Sequence, residues 1–128
     1  MKKTLLSALL LASTAVHAQS HAQSITCHVT YGGETKPIRA VPVTTPYTVP
    51  TVPIGSYFQF RVVLQTTPRD LASVNIYIYG DQGDAPVIIQ HNSHDWPVRN
   101  RGRYGFTGLQ RVYEPMRDGE LEYWCEAK

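Results

Sequence analysis

The chain has 128 residues, with 12 Lys or Arg against 10 Asp or Glu. Two of the basic residues, Lys2 and Lys3, lie in the N-terminal leader discussed next, and without them 10 basic residues remain beside 10 acidic ones. A nearly neutral chain lacks the excess positive charge on which binding to nucleic acid or to an anionic membrane depends. The length fits one domain with one core.

The N-terminus has the pattern of a secretory signal. Lys2 and Lys3 are followed by an uncharged run over 4–16, and small residues precede the expected cut after Ala18. An alternative cut follows Ala22, where small residues again flank the site. The apolar run is too short to cross a bilayer, and no later segment is long and apolar enough to anchor the chain. We therefore expect an exported protein, periplasmic or extracellular, without membrane insertion.

The two cysteines, Cys27 and Cys125, lie near the two ends of the expected mature domain. An even number of cysteines in an exported chain indicates a disulfide, and two cysteines allow only one intramolecular pairing. The bond would join the two ends of the domain. Closing so long a loop stabilises the folded state by up to about 4–5 kcal/mol in the chain-entropy model.

Alternating apolar and polar residues predict the first strand over 25–31, and Gly32-Gly33 predicts a turn. The next segment, 36–53, contains five prolines interleaved with Val and Thr. Because proline removes a backbone donor, this spacing excludes a helix and a central strand. We expect an edge strand or extended chain along a sheet margin.

The clearest strand covers 56–65. Phe58, Phe60, Val62 and Leu64 share one of its faces, so we expect this row to be buried. A turn over 67–70 precedes a further strand, in which Val74, Ile76 and Ile78 alternate with polar and Tyr residues.

The rest of the chain predicts three more strands and a long loop. A turn over 80–84 and a strand over 86–90 form a hairpin with the preceding strand. Residues 91–108 are rich in Asn, Asp, Arg and Gly and are expected to form a loop. The last two strands are expected over 109–114 and 120–126.

About seven short strands separated by turns predict an all-β domain. The expected architecture is a small antiparallel β-sandwich of the immunoglobulin-like type, with one disulfide between the first and last strands; a small β-barrel is the alternative. The chain then divides into a signal peptide over 1–18, a flexible tail over 19–24 and a single domain over 25–128. This architecture carries many unrelated functions and does not identify the function.

The predicted loop contains three sets of polar residues that could form a catalytic or binding site, and two of them include histidine. Ser93-His94-Asp95 has the residue types of a hydrolase triad, but adjacent residues do not form that relay, and no nucleophile elbow is present. His91 and His94 have a metal-like spacing, with His28, Asp81, Asp84 and Asp95 as possible further ligands, although a polar loop of solvated histidines is the simpler interpretation. We expect no catalytic residues, no resident metal and no cofactor.

Arg99, Arg101 and Arg103 alternate along the same loop. An extended backbone would place all three guanidinium groups on one side, as a clamp for a carboxylate, sulfate or phosphate. Asn100 and Gly102 favour a turn instead, and a solvated basic loop is the alternative interpretation.

Aromatic residues form the last set of candidate binding residues. Tyr77 and Tyr79 lie on the strand face opposite Ile76 and Ile78, and Trp96 lies in the predicted loop. Exposed aromatic residues form stacking or partner surfaces. The alternative is that the Pro-rich segment or the long loop covers them.

The sequence favours an exported, non-enzymatic binding or interaction module of the cell envelope, with a protein or small-molecule ligand that the sequence does not identify. A metal-binding envelope protein for Cu, Ni or Zn is the first alternative, and a small hydrolase or hydrolase inhibitor is the second. If the signal is cut after Ala18, His21 becomes the third residue behind a free amine, an arrangement that binds Cu(II) or Ni(II) in a square plane. The flexible tail without metal is the default interpretation.

Overall fold

The structure, a computed structural model, describes residue 13, residues 15–16 and residues 21–128. The predicted signal peptide over 1–18 falls almost entirely outside these residues. The expected cut after Ala18 also lies outside them, as do Gln19 and Ser20 of the predicted N-terminal metal site. Within the described part of the chain, no helix is long and apolar enough to cross a membrane.

The described residues form nine strands and two single-turn 3-10 helices. The helices are Pro46–Thr48 and Arg69–Leu71. The strands are β1 Ile25–Tyr31, β2 Glu34–Ala40, β3 Pro42–Val43, β4 Val52–Ile54, β5 Phe58–Gln65, β6 Ser73–Asp81, β7 Pro86–Asp95, β8 Gln110–Tyr113 and β9 Glu120–Ala127.

These strands make two separate sheets. Sheet A has the order β2-β1-β9-β8, and sheet B has the order β3-β5-β6-β7, with β4 also paired to β5. All of the pairings are antiparallel except the short parallel contact of β3 with β5. The predicted all-β, mainly antiparallel sandwich is confirmed.

The core lies between the two sheets. The predicted row Phe58, Phe60, Val62 and Leu64 is buried, as are Val74, Ile76 and Ile78 of the neighbouring β6. Sheet A contributes a matching set of buried residues: Ile25, Cys27, Val29, Leu121, Tyr123 and Cys125. The period-2 interpretation of these strands is therefore confirmed, because alternate residues point to the same face.

The disulfide between Cys27 and Cys125 joins the first and last strands, as predicted. The two residues are direct partners in the β1–β9 register, with their Cα atoms 4.0 Å apart. The bond therefore lies within one sheet, whereas the disulfide of antibody domains joins the two sheets. Both cysteines are fully buried, which is consistent with folding in an oxidising compartment.

The Pro-rich segment lies at sheet edges, as its composition predicts. Pro37 belongs to β2, an edge strand of sheet A, and β3 and β4 both pair with the outer side of β5. The 3-10 turn between β3 and β4 is fastened by Arg61. Its Nε donates to the carbonyl of Val49 at 2.9 Å, and its Nη2 donates to the carbonyl of Pro46.

The loop predicted over 91–108 is wrong for its first five residues, because β7 continues to Asp95. Asn, Ser and Asp favour turns when their side chains bond to nearby backbone. In β7 the backbone instead pairs with β6 through Asp95, and the amide of Asn92 donates to the hydroxyl of Tyr123 across the sandwich. Pairing with a neighbouring strand outweighs the local turn preference.

The remaining loop, 96–109, lies beside the end of β9 that does not pair with β8. Phe106 N donates to the carbonyl of Cys125 at 3.0 Å, and Cys125 N donates to Oγ1 of Thr107 at 2.9 Å. This close approach of the loop to β9 requires glycine at position 105. Gly105 has a φ of +61°, and a Cβ at this position would lie 2.0 Å from the carbonyl oxygen of Cys125. These contacts attach the loop to the end of sheet A.

Candidate functional site

A cleft of about 380 Å³ lies between the end of β7 and the 96–109 loop. We call it the basic cleft. Its lining combines polar residues from the strand with apolar and basic residues from the loop: His94, Asp95, Pro97, Val98, Arg99, Arg101 and Phe106. A concave site with an apolar wall and a few charged groups is the usual form of a small-ligand site.

The charges of the basic cleft are not neutralised by ion pairs. Arg99 and Arg101 are exposed, and neither guanidinium group has an ion pair or hydrogen bond with any residue that the structure describes. Asp95 lines the same cleft without pairing to either arginine. Two positive groups against one carboxylate leave the cleft with a net positive charge, which favours an anion.

His94 forms the inner wall of the basic cleft. Its ring packs edge-on against Phe106, with centroids 5.0 Å apart. Its Nε2 is buried and has no hydrogen-bond partner among the described residues. Burial lowers the pKa of His94 below its usual 6.5, because desolvation disfavours the charged ring. Burial therefore favours the neutral imidazole at the wall of the cleft that Arg99 and Arg101 also line.

The arginines are placed by a hydrogen-bonded loop. Asn100, which lies between them, donates from Nδ2 to the carbonyl of Ala127 at 3.0 Å and accepts from Ala127 N at 2.9 Å. Arg101 N donates to the carbonyl of Gly105 at 3.0 Å. These bonds anchor the backbone that carries both arginines to β9 and close it on itself.

The predicted three-arginine clamp is only partly formed. Arg99 and Arg101 share the basic cleft, whereas Arg103 lies over the ring of Tyr104, 5.1 Å from its centroid. Tyr104 in turn packs edge-on against Trp124, which stacks on His28 at 4.1 Å. Glycine at 102, with a φ of +128°, turns the chain between the second and third arginines. Strict alternation along an extended strand is thereby lost.

Tyr77 and Tyr79 lie on the outer face of sheet B, away from the basic cleft. Their rings stack with centroids 6.2 Å apart, and Tyr77 also stacks on His91 at 4.4 Å. Arg61, which holds the Pro-rich segment, lies 5.1 Å above the ring of Tyr77. Tyr77, Tyr79 and Arg61 are half-buried and His91 is exposed, so the aromatic cluster is partly covered by its own neighbours.

Trp96 does not join the other predicted binding residues on a surface. It is half-buried and packs against the hydrophobic core. Its backbone N–H donates to the carbonyl of Ala72 at 3.1 Å, which extends the β6–β7 pairing by one residue. The structure gives it a packing role at the base of the loop.

The predicted metal-like pair, His91 and His94, lies on β7 with its members on opposite faces. His91 stacks on Tyr77 outside sheet B, while His94 packs against Phe106 on the inner side. An odd spacing in a strand always separates side chains in this way. The same alternation separates His94 from Ser93 and Asp95. Across the described residues, no group of three or more His, Cys, Asp or Glu side chains is arranged to hold a metal ion.

A second cavity, of about 440 Å³, was not anticipated from the sequence. It lies between the end of β6 and the turn that joins β8 to β9, and it is lined by Tyr57, Asp81, Gln82, Glu114, Pro115, Met116 and Arg117. Glu114 is only 7% exposed and lies 3.6 Å from Nε of Arg117. Since that ion pair neutralises the buried carboxylate, the second cavity carries less unpaired charge than the basic cleft.

Comparison of the chain with models of protein families, with curated proteins and with solved structures finds no match.

Proposed function

We propose that the protein is an exported, non-enzymatic binding module that holds an anionic group with an apolar body in the basic cleft. One observation carries the proposal: Arg99 and Arg101 line one cleft and have no carboxylate partner among the described residues. Guanidinium groups bind carboxylates and related anions through paired, charge-assisted hydrogen bonds. Pro97, Val98 and Phe106 supply the apolar wall for the rest of the ligand.

The test uses benzoate as the anionic probe and benzamide as its neutral counterpart. Titration of the ¹⁵N-labelled mature protein should shift the amide signals of residues 94–106 saturably with benzoate, and much less with benzamide. Changing both Arg99 and Arg101 to Gln should weaken benzoate binding at least about tenfold, as expected for losing hydrogen bonds to a charged group.

Arg103→Gln is the control, because it removes one positive charge from the same loop but outside the basic cleft. It should leave benzoate affinity nearly unchanged. An equal loss in the control, or shifts confined to another part of the protein, would contradict the proposal.

Export is tested separately on protein recovered from the medium or the periplasm. Its intact mass should correspond to a chain that begins at Gln19 or at Gln23. Recovery of the protein only from the cytoplasm, with a mass that retains Met1, would contradict export.

A further inference from the structure

The basic cleft lies at one end of a long unpaired strand edge. β7 is the last strand of sheet B and pairs only with β6. It has ten residues, and on its other side no described residue pairs with its backbone. Its final residues, His94 and Asp95, belong to the cleft. Any chain that lies along this edge therefore runs toward Arg99 and Arg101.

The register identifies which backbone groups face the free edge. Trp96 N–H bonds to Ala72, so that pair is hydrogen-bonded, and pairs in an antiparallel ladder alternate in type. His91, Ser93 and Asp95 then fall in non-hydrogen-bonded pairs, and their N–H and C=O groups point outward. The close stack of His91 on Tyr77 agrees, because side chains approach more closely in such pairs.

Other strands at sheet margins carry features that block added strands, and the part of β7 from Gln90 to Asp95 lacks them. β2 contains Pro37, β8 has only four residues, and the outer side of β5 is occupied by β3 and β4. Short strands, lysine and proline are the usual protections of a sheet edge. β7 has no lysine, and its one proline is its first residue. It has one bulge, at Ile89, so the regular part of its edge is the six residues from Gln90 to Asp95. An unprotected edge of this kind accepts an extended partner chain.

The edge is chemically graded along its length. Val87 and Ile88 near its start are 47% and 51% exposed, whereas its far end leads to the unpaired guanidinium groups of Arg99 and Arg101. An antiparallel partner, the more stable orientation per residue, begins at the Asp95 end. Its first residues then meet the arginines, and its later residues meet Val87 and Ile88.

We infer that the β7 edge and the basic cleft together bind an extended polypeptide segment that has acidic side chains at its N-terminal end and apolar side chains after them. The segment adds a strand to sheet B, antiparallel to β7, and its leading carboxylates occupy the cleft. This inference rests on the proposed function, since it names the polypeptide as the source of the anionic group.

The probe is a capped synthetic peptide that begins Asp-Glu-Asp, continues with alternating Thr and Val, and carries a fluorophore at its C-terminus. Anisotropy with the disulfide-bonded mature protein should rise saturably. A peptide of the same composition in the reverse order should bind about tenfold more weakly or not at all. N-methylation of alternate amides in the part of the peptide beside residues 90–95 should abolish binding in one set of positions and leave it nearly intact in the other, because only one set faces this regular part of β7.

Ser93→Pro removes an outward N–H without breaking a bond to β6, and it should weaken peptide binding about tenfold or more. Arg39→Pro is the matched control. Pro37 has no N–H and pairs with His28, so Arg39, two residues on, also directs its N–H outward, on the edge of sheet A. That variant should retain peptide binding. Both variants should bind benzoate as the parent protein does.

Equal effects of the two proline variants, or of the two N-methylated peptides, would overturn the inference. If benzoate binding in the cleft persists in that case, the proposed function stands without the strand edge. If the unmodified protein does not bind benzoate, both the proposed function and the inference about the β7 edge are wrong. If the peptide does not bind and the protein alone sediments as a dimer that Ser93→Pro converts to a monomer, the occupant of the edge is a second copy and the inference is wrong.

Discussion

The hydroxyl of Tyr123 in β9 donates to Oε1 of Gln90 in β7 at 2.6 Å, which joins the two sheets through the core. The same hydroxyl accepts from Nδ2 of Asn92 at 2.7 Å. One buried oxygen thus satisfies two polar side chains of β7. Because β7 presents amides on its inner face where β6 presents Val and Ile, this bridge sets how the outer strand sits on the core.

Changing Tyr123 to Phe should lower the free energy of unfolding by about 1–3 kcal/mol, since both amides lose a buried partner. Urea denaturation measures the loss. Tyr47→Phe is the control, because Tyr47 is 91% exposed and its change should have no measurable effect. Equal stability of the two variants would mean that Gln90 and Asn92 find other partners.

Alkaline pH should destabilise the protein through the same residue. Burial raises the pKa of Tyr123 from 10.0 to about 12, against a smaller opposing effect of the hydrogen bond from Asn92. The folded state therefore holds its proton where the unfolded state loses it. This contribution to stability is complete below pH 10 and is lost as the pH rises from 10 to 12. Denaturation curves between pH 9 and 12 should show this fall, and Tyr123→Phe should flatten it in this range.

The disulfide prediction concerns Cys27 and Cys125. Replacing both with Ser should lower the free energy of unfolding by about 2–5 kcal/mol, because the unfolded chain is released from a long closed loop. Urea denaturation of the variant and of the reduced parent protein should give similar losses. Two titratable thiols in the unfolded, unreduced parent protein would contradict the bond itself.

Mild acid should weaken the protein through His94. Its pKa is lowered by burial, so the unfolded state takes up a proton at a higher pH than the folded state does. The contribution of the neutral His94 ring to the free energy of unfolding is fully present above pH 6.5 and decreases as the pH falls toward the folded-state pKa. Urea denaturation between pH 7 and 5 should show this fall in the free energy of unfolding. The fall should be smaller in His94→Gln. His91→Gln, on the exposed face of the same strand, should retain it.

Asp95 should limit anion binding in the basic cleft, because its carboxylate faces the same space as the two arginines. Asp95→Asn should increase benzoate affinity a few-fold at low salt, with a smaller gain at high salt, where charges are screened. Asp84→Asn, in the turn at the opposite end of β7, removes the same charge and should have little effect. A decrease in affinity for Asp95→Asn would show that this carboxylate helps to hold the ligand or the loop.

The strands with strictly alternating residues were predictable from the sequence, because Phe58 to Leu64 and Val74 to Ile78 each show one periodicity and one face. The part of β7 beyond Gln90 could not be predicted in this way. Its residues have local preferences for turns, and their partners, Tyr123 and β6, are distant in sequence. Period-2 reasoning also missed Val63, which is buried on the outer face of β5.

The residues of the basic cleft could be picked out from the sequence, but the contacts that bring them together could not. The arginine-rich loop is visible in the sequence, and two of its three arginines do line one cleft. What brings them beside His94 and Phe106 is the attachment of Asn100 to Ala127 and of Gly105 to Cys125, contacts between residues 20 or more positions apart. No local pattern records these contacts. Trp96 is a further case, since nothing in the polar sequence around it indicates that it packs against the hydrophobic core.

The ladder between β1 and β9 extends past the disulfide to Ser24 and Lys128, whose backbones exchange hydrogen bonds of 2.8 and 2.9 Å. These two residues are close enough for a short linker to join them, and new ends can be opened at Gly83 in the exposed β6–β7 turn. In such a circular permutant Cys27 and Cys125 keep their neighbours, but the bond encloses only the linker and a few residues instead of a separation of 98. The chain-entropy model then reduces its stabilisation by about 1.5 kcal/mol or more. How strongly this bond stabilises the domain is thus set by the order in which the strands are connected, while its atomic surroundings stay the same.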